Sequence, residues 1–247
     1  MLRLCAWGAL LLGAAAQQEA SALRSFRKGD YLYFQRTQPG SAATSHCRCR
    51  SFASSGATGG SCADGSEVEV LLDESALGSG AGLGGLTVSP DAKLLAYTHR
   101  SAAPVEGAPA AYSVTIKNLE TGAVLSDTTR AAHPRVVWGA DAGGGQALYY
   151  VKPDGSDGRP AELWRHVPGG ADRLLLREDD VAFQLALTQT TDERWLLVNI
   201  ESPDTSEVHI LRLDQPESDA GQKLQLVAKR TPQTKCQLRT IPAFMQI

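Results

Sequence analysis

A strand, a tight turn and a second strand recur along this chain at a spacing near fifty residues, and no other feature narrows the possible folds as far. Residues 85–97 read Gly-Leu-Thr-Val-Ser-Pro-Asp-Ala-Lys-Leu-Leu-Ala-Tyr. Apolar runs flank a turn whose proline presets φ and whose aspartate can bond its own backbone. The pattern returns at Val136-Val137-Trp138-Gly139-Ala140-Asp141, with three glycines before Ala147-Leu148-Tyr149-Tyr150-Val151. A third copy runs from Leu185-Ala186-Leu187-Thr188 through Asp192 into Trp195-Leu196-Leu197-Val198. Asp91, Asp141 and Asp192 stand 50 and then 51 residues apart, close to the length of a four-stranded repeat unit.

Each of these hairpins is followed by a second. Residues 112–119 precede Ala123-Val124-Leu125, residues 162–167 precede 173–176, and residues 208–213 precede 223–227. Two hairpins per period make four strands, with no long helical pattern between them. The expected fold is all-β: a partial, open β-propeller of about four four-stranded antiparallel blades, spanning residues 25–240.

Upstream of the clear repeats, residues 30–36 and 45–50 read as paired strands, and residues 51–66 as a Ser/Gly/Ala-rich loop. Alternation resumes at residues 67–72, followed by a helical turn at 73–77. The glycines at 78, 80, 82, 84 and 85 lack the strand-before, helix-after context of a phosphate-binding loop and read as a linker.

Residues 1–24 form a separate leader. Met1-Leu2-Arg3, an apolar run to Leu12 and Ala14-Ala15-Ala16 have the layout of a secretory or organelle-entry peptide; the alternative is a cytoplasmic protein with an inconsequential alanine-rich start. Residues 241–247 match no repeat. A formal net charge of −3 gives no electrostatic reason for a nucleic-acid or anionic-membrane partner. Cleavage after Ala16 would leave Cys47, Cys49, Cys62 and Cys236. Their irregular spacing favours free thiols over a disulfide framework. His46-Cys47-Arg48-Cys49 puts alternate residues on one face of a strand, but no further pair completes four ligands, so neither metal nor cofactor is expected.

The ordered motifs carry a resemblance. Tyr31-Leu32-Tyr33-Phe34-Gln35-Arg36-Thr37, His46-Cys47-Arg48, Glu69-Val70-Leu71-Leu72-Asp73, residues 86–97, Asn118-Leu119-Glu120-Thr121-Gly122 and Val136-Val137-Trp138 together resemble the amino-terminal propeller of the prolyl oligopeptidase family. The likeness is greatest to oligopeptidase B and the prolyl endopeptidase-like proteins. It implies a seven-bladed propeller that covers a separate α/β-hydrolase domain and limits access to large folded proteins. In such enzymes a Ser-Asp-His triad cleaves peptides, after basic residues in oligopeptidase B and after proline in prolyl oligopeptidase.

The chain departs from that pattern in two respects. No Gly-x-Ser-x-Gly elbow occurs between Met1 and Ile247, so there is no catalytic serine to name. His46, His99, His133, His166 and His209 then read as structural or surface residues, and the turn aspartates as backbone acceptors. No catalytic, cofactor-binding or metal residue is expected. Length is the second departure: about four periods leave an apolar blade face uncovered, which predicts a fragment or truncated product prone to association through its edges. Two functions follow. The first is the substrate-gating portion of a serine endopeptidase whose hydrolase domain is absent, inactive alone. The second is an independent protein-interaction module presenting loops 101–110 and 153–160.

Overall fold

A computed structural model describes residues 25–37, 44–51, 62–63, 65–100, 112–125, 129–131, 133–154, 158–215 and 224–236. The expected leader and the tail at 241–247 lie outside these residues. Sixteen strands form four sheets, each a four-stranded antiparallel meander in chain order. Blade 1 holds β1 (Phe26–Lys28), β2 (Tyr31–Thr37), β3 (Thr44–Arg50) and β4 (Glu69–Asp73). Blade 2 holds β5 (Gly82–Val88), β6 (Leu94–Arg100), β7 (Tyr112–Asn118) and β8 (Thr129–Ala131). Blade 3 holds β9 (Val137–Ala140), β10 (Gln146–Pro153), β11 (Pro160–His166) and β12 (Arg173–Arg177). Blade 4 holds β13 (Gln184–Gln189), β14 (Trp195–Glu201), β15 (Ser206–Arg212) and β16 (Gln225–Ala228). The expected all-β, four-blade, open architecture is the one observed. Its single helical element among the described residues is the 3-10 turn Glu74–Leu77, capped by the Asp73 carboxylate at Ser75 N.

The apolar residues sit between sheets. Three layers join blades 1 and 2, 2 and 3, and 3 and 4 in turn. Strand β10 shows why its sequence is almost continuously apolar. Successive side chains point to opposite faces, so Ala147, Tyr149 and Val151 enter the layer with blade 4 while Leu148 and Tyr150 enter the layer with blade 2. A strand covered on both faces cannot alternate apolar with polar.

Among the described residues no ladder hydrogen bonds connect neighbouring blades, and polar clips join them instead. The Trp138 Nε1 of blade 3 donates to Thr87 O of blade 2 at 3.3 Å, and Thr98 Oγ1 to Pro134 O at 2.7 Å. Ala140 N donates to Leu213 O at 2.7 Å. The buried Arg159 guanidinium gathers the carbonyls of Glu178, Asp180 and Phe183 on the link into blade 4.

Three local expectations change. The glycine-rich linker is in part strand: β5 starts at Gly82. A Cβ on Gly84 would lie 2.6 Å from the Tyr112 ring, and one on Gly85 would lie 2.7 Å from the Pro134 carbonyl oxygen, so these glycines serve close packing rather than flexibility. Ala123-Val124-Leu125 does not form the last strand of blade 2; it makes one bridge, Lys117 to Val124, and β8 takes the edge. Blade 1 gains β1, too short for alternation to reveal it.

Leu148 is fully buried while Val181 is 74% exposed. We expect Leu148→Ala to lower stability in urea by about 2–5 kcal/mol and Val181→Ala to stay within about 0.5 kcal/mol of the parent. Equal effects would contradict this placement of the core.

Candidate functional site

Each sheet begins with the strand that forms one of its edges, and these first strands turn towards one another. Strands β5 and β9 are in contact. The Lys28 ammonium at the end of β1 donates to Val88 O of β5 at 2.9 Å and pairs with Glu193 of blade 4 at 2.7 Å. Blades 1 and 4 share no apolar layer among the described residues, so this contact requires a curved stack. The ends of β1 and β5 and the turn following β13 meet on its concave side at the Lys28 ammonium.

Those turns contain the recurring aspartates, and the structure corrects their alignment. Ser89 N bonds Leu94 O and Ala92 N bonds Ser89 O; Thr190 N bonds Trp195 O and Glu193 N bonds Thr190 O. In blade 3 the matching bonds belong to Asp141, from its N to Gly145 O and from Gly144 N to its O. Asp141 therefore occupies the place of Ser89 and Thr190, two residues ahead of Asp91 and Asp192. The residues with left-handed φ agree: Ala92, Gly144 and Glu193 at +59°, +79° and +59°.

The carboxylates act on backbone, as Asx geometry predicts. Asp91 Oδ1 accepts from Lys93 N at 3.1 Å and from Ser89 Oγ, and Asp192 does the same with Arg194 N and Thr190 Oγ1. The Thr190 hydroxyl is the main reason the Asp192 carboxyl lies below its usual range. Asp141 accepts from Gly143 N and pairs with Arg165, and that arginine holds its pKa down.

The histidines are dispersed. His46 pairs with Glu74 at 2.8 Å, His166 with Asp172 at 2.8 Å and His209 with Glu207 at 2.7 Å. His99 lies 5.9 Å from the Tyr97 ring. His133 borders a cavity of about 320 Å³ with Gln184, Glu201 and Ser202, and burial, then Arg135, lowers its pKa. Three of the five therefore already have a carboxylate partner. No group of three or more His, Cys, Asp or Glu there is arranged to hold a metal.

One cysteine expectation is overturned. Cys49 and Cys62 form a disulfide, leaving Cys47 and Cys236 as free thiols. The two cysteines are 13 residues apart in sequence, and Ala63 N, next to Cys62, donates to Arg50 O at the end of β3. The spacing alone carried no sign of that pairing. Burial raises the Cys47 thiol pKa.

The family model of the prolyl oligopeptidase N-terminal β-propeller domain matches residues 12–240. The chain belongs to this family. Dipeptidyl aminopeptidase BI of Pseudoxanthomonas mexicana is 33% identical over 146 residues, covering 57% of this chain and 19% of that protein. Protease 2 of Moraxella lacunata is 32% identical over 124 residues, covering 48% and 17%. Oligopeptidase B from Leishmania major superposes with a TM-score of 0.67 at 22% identity, over 85% of this chain and 28% of that one. At that identity the superposition speaks for fold alone. The chain spans less than a fifth of either curated relative. The propeller domain therefore supplies the frame for the concave edge, and the blades of this chain are blades of that domain.

Within blade 3 of the propeller, Asp172 accepts from Tyr150 Oη, Lys152 Nζ and His166 Nδ1. Burial pushes its pKa up, but the three donors and the Lys152 charge outweigh it and hold the carboxyl below its usual range. Asp172 thus adds stability that is present above the unfolded pKa of about 3.9 and lost as pH falls through the lower folded value. We expect the stability gap between the parent and Asp172→Asn in urea to be wide at neutral pH and to narrow towards pH 3. A gap unchanged over that range would refute the assignment.

Proposed function

We propose that this chain supplies part of a propeller that covers the α/β-hydrolase domain of a serine peptidase similar to oligopeptidase B, and screens peptide substrates by size. The observation that carries the reading is the contact across the stack: the Lys28 ammonium at the end of β1 reaches Val88 O of blade 2 and Glu193 of blade 4, which draws the first-strand side of the blades inward. In this proposal the inner edges border a passage along the axis that admits an extended peptide and excludes a folded domain. Membership of the propeller family supports the reading, as do relatives named as an aminopeptidase and a protease.

In this proposal the chain contributes no catalytic residue. Three of its five histidines pair with carboxylates, two inside their own blades and His46 with Glu74 just after blade 1, and the sequence holds no nucleophile elbow. The leader-like start and the Cys49–Cys62 disulfide support entry into a secretory or organellar compartment, since disulfides persist where the surroundings are oxidising.

The purified chain should hydrolyse Arg- and Pro-containing fluorogenic peptides no faster than a buffer blank. Turnover abolished by a serine-directed phosphonofluoridate would sink the assignment of chemistry to another domain. The covering role is tested in a chimera carrying this chain in place of the matching segment of Dipeptidyl aminopeptidase BI. The chimera should cut short peptides and spare a folded protein; comparable cleavage of both would refute the screen.

A further inference from the structure

We propose that Lys28 and Glu193 form an ionic clasp across the concave edge, holding blade 1 against blade 4, and that release of this pair lets the arc of blades open. The clasp itself does not depend on the covering role; only its use in admitting substrate rests on that reading. The two residues lie in blades that share no apolar layer among the described residues, so their contact is not a by-product of core packing between those blades. One ammonium touches three blades: its own, blade 2 through Val88 O at 2.9 Å and blade 4 through Glu193 at 2.7 Å.

The two legs differ in exposure. The Lys28 side chain is 15% exposed and that of Glu193 is 47% exposed. Water and salt therefore reach the Glu193 side first, and an ion pair open to solvent is weak enough to break and reform. The leg to Val88 O keeps Lys28 seated on blade 2 while the other opens.

Glu193 is also held in an unfavourable place. Its backbone has φ +59°, a region that disfavours residues with a Cβ and suits glycine. Blade 3 places Gly144 at the matching turn position and blade 2 the small Ala92. Blade 4 carries a long carboxylate there. Turn bonds from Glu193 N to Thr190 O and from Arg194 N to Asp192 fix the backbone, so the carboxylate is presented from a rigid mount. Strain retained under a side chain that reaches across to another blade points to a role for that side chain.

The test reads the distance between blades in the full chain. Spin labels are attached through Gln35→Cys in blade 1 and Leu226→Cys in blade 4, with Cys47→Ser and Cys236→Ser to remove the native thiols. At low ionic strength the parent should give one narrow distance distribution. Glu193→Gln and Glu193→Gly should each broaden it to longer distances, and about 1 M NaCl, which weakens an ion pair open to solvent, should broaden the parent while leaving both variants as they are. Glu193→Gly relieves the left-handed backbone, so its melting temperature should equal or exceed the parent's even as the arc opens. Distributions that coincide for parent and variants at low salt would overturn the clasp and leave the pair a local role. A chimera that fails to exclude folded proteins while the distance change is seen would instead remove the covering role and leave the clasp standing.

Discussion

The molecule is built on sheets that pack face to face with no hydrogen-bonded ladder between them among the described residues. Each sheet forms its own ladder, and what chiefly joins sheet to sheet is apolar area removed from water, at roughly 25 cal/mol per Å². That interaction has no direction of its own. The relative placement of blades is fixed by shape, by glycines such as Gly85 that let a neighbouring backbone approach, and by polar clips aimed at carbonyls. Trp138, Thr98 and Arg159 each spend a donor on a neighbouring blade or on the link leading to it. Such bonds contribute about 0.5–1.5 kcal/mol apiece, modest beside the apolar layers, but they set an angle and a height that the layers leave free.

A face-to-face stack also separates structural work from recognition. Both faces of a central blade are committed to its neighbours, so a ligand can meet only edges and ends. On the concave side the turn following β13 carries Glu193, whose partner Lys28 lies in blade 1. The titratable groups elsewhere are bound into local networks: Asp172 takes three donors, and Glu207 takes His209 and Arg230. A histidine already matched to a carboxylate within its own blade has an evident structural task. This is the physical ground for reading the chain as a framework.

Much of the fold was legible because a strand between two layers must be apolar at consecutive positions, and β10 and β14 announce themselves that way. The turns were legible too, through Ser-Pro-Asp and Thr-x-Asp. Their alignment was less so. Asp141 fell into the fifty-residue rhythm, yet it stands where Ser89 and Thr190 stand. A carboxylate can serve at either position of such a turn, so residue type did not distinguish them. Strand β1 and strand β8, three residues each, are too short for any periodicity, and pairing with a neighbour creates them. The glycines of β5 looked like a linker because local composition cannot report that Tyr112 and Pro134 press on them from elsewhere in the chain.

The candidate site divides in the same way. The absence of a nucleophile elbow is a property of the chain's letters, and no folding step can supply one. Alternation and turn chemistry are equally local, acting over a few residues, which is why they disclosed strands, hairpins and the four-blade plan before any coordinates. The Cys49–Cys62 bond, the meeting of Lys28 with Glu193 and the choice of β8 over residues 123–125 are of another kind. They join residues far apart in sequence or depend on what a neighbouring strand offers, and nothing in their immediate surroundings favours those partners over others. Their pairing was settled when packing of the blades brought distant segments within bonding reach.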